Sequence, residues 1–263
     1  MSNTPLVLRI GCWNVNSLRV RWPLVESWLK TERIDVALLQ ETKVIDTDFP
    51  QQTLKQAGYY SAFWGQKTYN GVAILSRWPL SDMVCLDLNG TGAARCIQVL
   101  THGLRLCCVY IPQGQAFAMP AFQEKLTFLN GLYQHMAAYV HDFTPTIVGG
   151  DLNIALNDED VWDTDLWRNQ VMCSIPERNA LRKILWTGWT MAQVRIKGHK
   201  NPPTWWNYQH RAWPKQHGLC IDSFMLSPSA ADLFCDTSVS KQWRSAPQPS
   251  DHAPITLELR NPA

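Results

Sequence analysis

Asp151 and Asn153 close an apolar run, Thr146-Ile147-Val148-Gly149-Gly150, and stand two residues apart. In extended backbone that spacing puts both side chains on one face. A carboxylate and an amide would then project together from a strand end, where open α/β sheets place their chemistry. The two glycines free the backbone for a sharp turn. Asp and Asn are equally at home in Asx turns, and the stretch alone favours that plainer reading. Repetition of the pattern gives it weight. Asn14 follows the apolar residues 6–13, Glu41 follows 34–39, Tyr110 lies in Val109-Tyr110-Ile111-Pro112, and Asp222 follows Ile221. Ser250-Asp251-His252-Ala253-Pro254 precedes the last apolar run. If these ends converge, they gather carboxylates, amides and one imidazole. Hard oxygen donors without clustered His or Cys suit Mg²⁺ or Mn²⁺ rather than zinc. Such a cation beside an activated water is equipment for hydrolysing a phosphate ester. Singly, each residue has a structural reading: Glu41 as a turn cap, Asp222 in a salt bridge, Tyr110 and His252 as core side chains.

The elements that must position these groups alternate between strand and helix. Strands are expected at 6–13, 34–39, 59–64, 71–76, 95–100, 104–111, 146–150, 203–208, 220–226 and 254–259. Helices are expected from about Pro23, at 50–57 with Gly58 as its stop, at 122–140, and at 176–186 ending near Gly188. This mixture predicts an α/β or α+β fold. No Gly/Ser/Pro-rich linker interrupts residues 1–263, so a single domain is expected.

With 46 % hydrophobic and 17 % charged residues, the 263-residue chain can bury a sizeable core and is not globally disordered. Its net charge of +2 excludes no class of partner. No apolar run reaches the ~18 residues of a membrane span, so no membrane association is expected. The start of the chain lacks a basic region followed by an apolar one, which points to a cytoplasmic protein. Eight cysteines without a CxxC pair read as reduced core thiols.

Seven segments in order carry a family resemblance: Trp13-Asn14-Val15-Asn16-Ser17-Leu18-Arg19, Leu39-Gln40-Glu41-Thr42-Lys43, Asn70-Gly71-Val72-Ala73-Ile74, Val109-Tyr110-Ile111-Pro112-Gln113-Gly114, Gly150-Asp151-Leu152-Asn153-Ile154-Ala155, Ile221-Asp222 and Ser250-Asp251-His252-Ala253-Pro254. Together they resemble the exonuclease III family, which includes the apurinic/apyrimidinic (AP) endonucleases of base-excision repair and belongs to the endonuclease/exonuclease/phosphatase superfamily. The resemblance implies a four-layered α/β sandwich, two β-sheets face to face flanked by helices. It implies that Glu41 holds Mg²⁺ (Mn²⁺ as the alternative) with Asn14 and Asp251 nearby, and with Asp151 and Asn153 bordering the metal. Asp151 would handle the attacking water and Asn153 the phosphate. His252, oriented by Asp251, would hydrogen-bond the scissile phosphate, with Tyr110 and Asp222 completing the environment of phosphate and leaving group.

Residues 178–221 contain no Asp or Glu, yet carry Arg178, Arg182, Lys183, Arg195, Lys197, Lys200, Arg211 and Lys215 among Trp186, Trp189, Trp205, Trp206, Tyr208 and Trp213. Basic residues interleaved with aromatics suit nucleic acid. The structural alternative is that their countercharges lie elsewhere in the fold. Thr204-Trp205-Trp206-Asn207-Tyr208 resembles the family's aromatic DNA loop, which makes Trp205, Trp206 and, on the long helix, Lys125 candidate DNA contacts. Residues 151–165 hold six acids and no base. In the family such a loop lies near the active site, so Trp167 or Arg168 over the sugar pocket would select the substrate. The chain departs from the family pattern at Cys220 and Ser223, where Arg and Tyr are common, at Asn16-Ser17 in place of Asn/Asp-Gly, and at 189–195, which lacks an Asp-x-Phe-Arg segment.

The chain is therefore expected to be a monomeric Mg²⁺-dependent phosphodiesterase acting on double-stranded DNA at an abasic site or a 3′ end. It would serve as AP endonuclease, 3′→5′ exonuclease or 3′-phosphatase. Two alternatives are a phosphoinositide- or sphingomyelin-type phosphatase of the same superfamily and a catalytically weak DNA-binding member.

Overall fold

A computed structural model describes residues 7–192 and 201–262. Its twelve strands in chain order are β1 (Val7–Asn14), β2 (Val36–Gln40), β3 (Tyr60–Trp64), β4 (Val72–Ser76), β5 (Ser81–Cys85), β6 (Cys96–Thr101), β7 (Leu104–Tyr110), β8 (Thr146–Asp151), β9 (Thr190–Met191), β10 (Asp222–Leu226), β11 (Phe234–Val239) and β12 (Ile255–Arg260). The helices are α1 (Leu18–Thr31), α2 (Gln51–Gln56), α3 (Pro120–Ala137), α4 (Thr164–Trp167), α5 (Ile175–Leu185), α6 (Ala212–Lys215) and α7 (Pro228–Ala231). The strands form two six-stranded sheets, ordered β11-β12-β1-β2-β4-β3 and β5-β6-β7-β8-β10-β9.

Each sheet has one parallel pair at its heart, β1 with β2 and β7 with β8. A parallel pair needs a crossover, which α1 and α3 supply. Alternation then sorts the side chains. Leu8, Ile10 and Cys12 face Ile97, Leu106, Ile147 and Phe224 in the core between the sheets. Trp13 turns outward onto Trp28 and Leu29 of α1. On the second sheet Val109, Val148 and Met225 turn outward onto α3 and α5. The layers are helix, sheet, sheet, helix, as the resemblance implies. Gly149 and Gly150 have no positive φ. They are needed for close approach instead. A Cβ on Gly149 would lie 2.7 Å from both Leu38 and Phe224, and one on Gly150 would lie 1.8 Å from the Val109 carbonyl oxygen.

Three expectations change. Helix α1 begins at Leu18, so Pro23 lies inside it rather than in its first turn. Main-chain bonds from Ser17 and Leu18 to the carbonyls of Glu41 and Thr42 fix that earlier start. Residues 203–208 form no ladder. Only Trp205 bridges, to Leu219 and His252, which makes the segment a strap between the two sheets. Strands β5, β9 and β11 are unexpected, because an edge strand such as β5 is exposed along its length and shows no apolar alternation. Arg195, Lys197 and Lys200 lie outside the described residues.

Ser17 has φ 90° and ψ 103°, a conformation that favours glycine. Ser17→Gly is expected to raise stability by about 1 kcal/mol, the relieved strain exceeding the added chain entropy. A thermal midpoint that stays put or falls would refute this.

Candidate active site

The topology collects one end of the sandwich. Strands β1, β2, β7 and β8 all end there with Asn14, Gln40, Tyr110 and Asp151, while β10 starts there with Asp222 and His252 lies just before β12. All the expected site residues of the strand ends therefore meet. They floor a cavity of about 490 Å³ lined by Glu41, Tyr110, Asp151, Asn153, Asp251 and His252, with Phe117, Trp167, Met172 and Trp205 in its walls.

Asp151 is 1 % exposed and sits at the centre. Its Oδ2 accepts from Asn14 Nδ2 (2.9 Å) and Asn153 Nδ2 (3.2 Å), and its Oδ1 from the Asn153 main-chain N–H (2.9 Å). That last bond is an Asx turn, with Asn153 at φ 50°. The plain reading of this segment and the chemical one are thus both realised in the same atoms. Burial pushes the Asp151 carboxyl up to about 7, against the pull of His252. Asn14 donates a second hydrogen to Glu41 Oε1 (2.8 Å), while its own oxygen accepts from the Asn16 N–H. As placed, it ties the two carboxylates together. Tyr110 donates its hydroxyl to Glu41 Oε1 (2.9 Å), and Lys43 pairs with Glu41 Oε2 (2.8 Å). Burial disfavours the Glu41 carboxylate, but the bonds from Asn14 and Lys43 outweigh it and hold its pKa below the ordinary value.

His252 is held by Asp222, not by its neighbour Asp251. Its Nδ1 donates to Asp222 Oδ2 at 2.9 Å, and its Nε2 lies 3.6 Å from Asp151 Oδ2. Adjacent residues project to opposite sides, and Asp251 turns to Trp205 Nε1 (3.0 Å) and Asn16 Nδ2 (3.2 Å). Burial works against a charged imidazole, yet the Asp222 and Asp151 carboxylates raise the His252 pKa to about 10. The ring is an imidazolium at neutral pH. Asp222 is itself positioned by its main-chain N–H, which donates to the Thr204 hydroxyl (3.1 Å).

The spacing of Asp151, Asp222 and His252, within 4.8 Å of one another, could hold a metal ion. An imidazolium bonded to a carboxylate is a poor ligand, however. By donor chemistry the oxygens of Glu41, Asp151 and Asp251 suit a hard divalent cation better, although among the described residues they do not draw as close together as that trio. Charge supports the fit: four carboxylates (Glu41, Asp151, Asp222, Asp251) face two cations, Lys43 and His252. An anionic phosphate would be repelled from this floor unless a further cation joined it.

Two expected DNA contacts move. Lys125 is fully buried; its Nζ pairs with Glu177 Oε1 at 2.5 Å. Trp206 is also fully buried, packed edge-on against Trp213 at 4.7 Å. Both were legible as basic or aromatic, but nothing local told which face they occupy. Trp205 does border the cavity. Trp167 does too, whereas Arg168 points to Asp165 (2.7 Å) on the exposed side. Much of the basic stretch braces the scaffold: Arg178 binds Asp158 and the Ala155 carbonyl, Arg182 the Leu156 carbonyl, and Lys183 lies over Tyr133. Sequence reasoning left Lys43, Asn16 and Arg95 without roles. Arg95 lies 4.6 Å over the Tyr110 ring and donates to the Tyr110 carbonyl. Lys43, two residues after Glu41, was open to the same spacing rule that picked out Asn153.

The Endonuclease/Exonuclease/phosphatase family profile matches residues 11–252. Exodeoxyribonuclease III of Haemophilus influenzae is 29 % identical over 94 % of this chain and 98 % of its own. The structure of the 3′ phosphatase NExo from Neisseria bound to a product DNA hairpin superposes with a TM-score of 0.93, at 33 % identity, covering 96 % of this chain and 99 % of that one. An AP endonuclease from Archaeoglobus fulgidus gives a TM-score of 0.90 at 31 % identity, over 95 % and 98 % of the two chains.

Proposed function

Because the chain belongs to the Endonuclease/Exonuclease/phosphatase family, in its exonuclease III/AP endonuclease branch, we propose that it is a DNA-repair phosphodiesterase that works on the 3′ ends of strands in double-stranded DNA. It hydrolyses phosphoester bonds of DNA, as a monomer in the cytoplasm. The observation that carries this reading is the surplus of carboxylates around Asp151 beside an imidazolium, on the floor of a cavity walled by aromatic rings. A lipid-phosphatase reading loses its support, since the relatives are named as exodeoxyribonucleases and a DNA repair nuclease.

Asp151 takes the proton of the attacking water, with its carboxylate fixed by the Asn14 and Asn153 amides. His252 donates from Nε2 to a phosphoryl oxygen while Asp222 fixes its ring. Asn153 spends its two amide hydrogens on Asp151 Oδ2 and the Ile111 carbonyl, so it positions Asp151 rather than the phosphate, and Tyr110 steadies Glu41 at the cavity floor. Glu41, with Asp151 and Asp251, and with Asn14 and Asn153 beside them, would hold Mg²⁺ or Mn²⁺. That ion would supply positive charge to the phosphoryl oxygen as negative charge builds up there.

Two features favour 3′-end processing over internal incision. Trp167 stands in the wall of the cavity where an extrahelical sugar would enter, and the Neisseria relative is named a 3′ phosphatase. The deciding assay compares a duplex carrying a 3′-phosphate with one carrying an internal abasic analogue, with Mg²⁺ and with chelator. The wild type is expected to release phosphate from the first at least about tenfold faster, only with metal, and Trp167→Ala to narrow that ratio by about tenfold. Efficient internal incision by the wild type would sink the 3′-end assignment. Activity in chelator would sink the metal.

A further inference from the structure

Lys125 lies behind the cavity wall, fully buried, and its three donors are spent on three different segments. Nζ donates to the Asn153 carbonyl (2.7 Å), to the Gln113 carbonyl (3.2 Å) and to Glu177 Oε1 (2.5 Å). Glu177 in turn accepts from the main-chain N–H groups of Met172 (2.9 Å) and Ser174 (3.1 Å), and from the Ser174 hydroxyl. Gln113, Asn153 and Met172 all line the cavity, and they come from the loops after β7, after β8 and before α5. Asn153 and Met172 both hold positive φ, 50° and 76°, a region that asparagine tolerates and methionine does not favour. A lysine can bond three carbonyl or carboxylate oxygens at once because its ammonium has three donors and no acceptor.

We propose that Lys125 is a positioning residue for the phosphodiesterase reaction. Through the Lys125–Glu177 pair it clamps the three loops in one register, so that the Asn153 amide holds the Asp151 carboxylate at a fixed distance from the Met172 and Gln113 wall that receives the terminal sugar. This inference rests on the DNA-phosphodiesterase reading of the cavity. A salt bridge meant only to join α3 to α5 would have no need of the Asn153 carbonyl. That bond reaches past the helix pair to the segment immediately after Asp151. Losing it releases the Asx turn that fixes both Asn153 and the Asp151 carboxylate, and small misplacements of reacting groups are costly in rate.

The test compares wild type, Lys125→Met and Glu177→Gln in steady state on the 3′-phosphate duplex with Mg²⁺, each well below its thermal midpoint and with the fold checked by circular dichroism. Lys125→Met removes every donation. Glu177→Gln leaves the two carbonyl donations in place. Lys125→Met is expected to lose about 10- to 100-fold in kcat with KM changed less than about threefold, and Glu177→Gln to lose clearly less. Unchanged kcat in folded Lys125→Met, or an equal loss in both variants, overturns the proposal. If Lys125→Met does not fold, Lys125→Leu, which likewise removes every donation, carries the same comparison with the same outcomes. A wild type that processes no DNA end overturns the underlying reading, and this inference with it.

Discussion

Asp151→Asn is expected to lower kcat by about 10³-fold or more and, in the presence of chelator, to stabilise the protein above pH 7. The first effect follows from its place in the site. Among the described residues no other carboxylate has two side-chain amides and a main-chain N–H converging on it beside the imidazolium, and removing a positioned base costs about 10²–10⁴. The second follows from linkage. The Asp151 pKa rises from 3.8 to about 7 on folding, chiefly through burial. A raised pKa means that the folded protein binds the proton more tightly than the unfolded chain. The contribution is favourable below pH 4 and is lost as the pH climbs through 7. Above pH 7 the native site carries a destabilising charge that asparagine removes, a gain of about 1–3 kcal/mol that vanishes towards pH 4. Denaturant unfolding at pH 8 and pH 4 measures it. A variant less stable than wild type at pH 8, or one that keeps its turnover, contradicts the assignment.

Asp222→Asn acts with the opposite sign. Its carboxylate is the first electrostatic partner that raises His252 to about 10. A raised histidine pKa contributes stability that is full below pH 6.5 and is lost as the pH rises through 10. The variant should therefore be less stable by about 2–4 kcal/mol at pH 6 and approach wild type near pH 10. Its kcat should fall by about 10²–10³-fold, with the alkaline limb of the pH–rate profile moved to lower pH, because the imidazole now deprotonates earlier. A stability loss that is the same at pH 6 and pH 10 would place Asp222 in a purely structural role.

Much of the site was legible because its grammar is local. An apolar run followed by Asn, Glu or Asp marks a strand end, and spacing by two identifies neighbours such as Asp151 and Asn153. The long α3 and α5 showed in their periodicity, while the Ser174–Glu177 capping box that opens α5 came from the structure. Exposed edge strands and the strap at 203–208 did not show, because their conformation is imposed by partners far along the chain.

The sequence by itself determined the alternation of elements, the residue types at each strand end and the family they resemble. These depend on local pattern and on order along the chain. Only the tertiary structure decided partners and faces. It gave His252 to Asp222, 30 residues away, rather than to the adjacent Asp251. It turned Lys125 inward onto Glu177 and the Asn153 carbonyl instead of outward to DNA. It sank Trp206 into the core while leaving Trp205 and Trp167 at the cavity. A charge or a ring is written in the sequence, but its direction depends on which strands pair and which helices cover them, and those contacts span the whole chain.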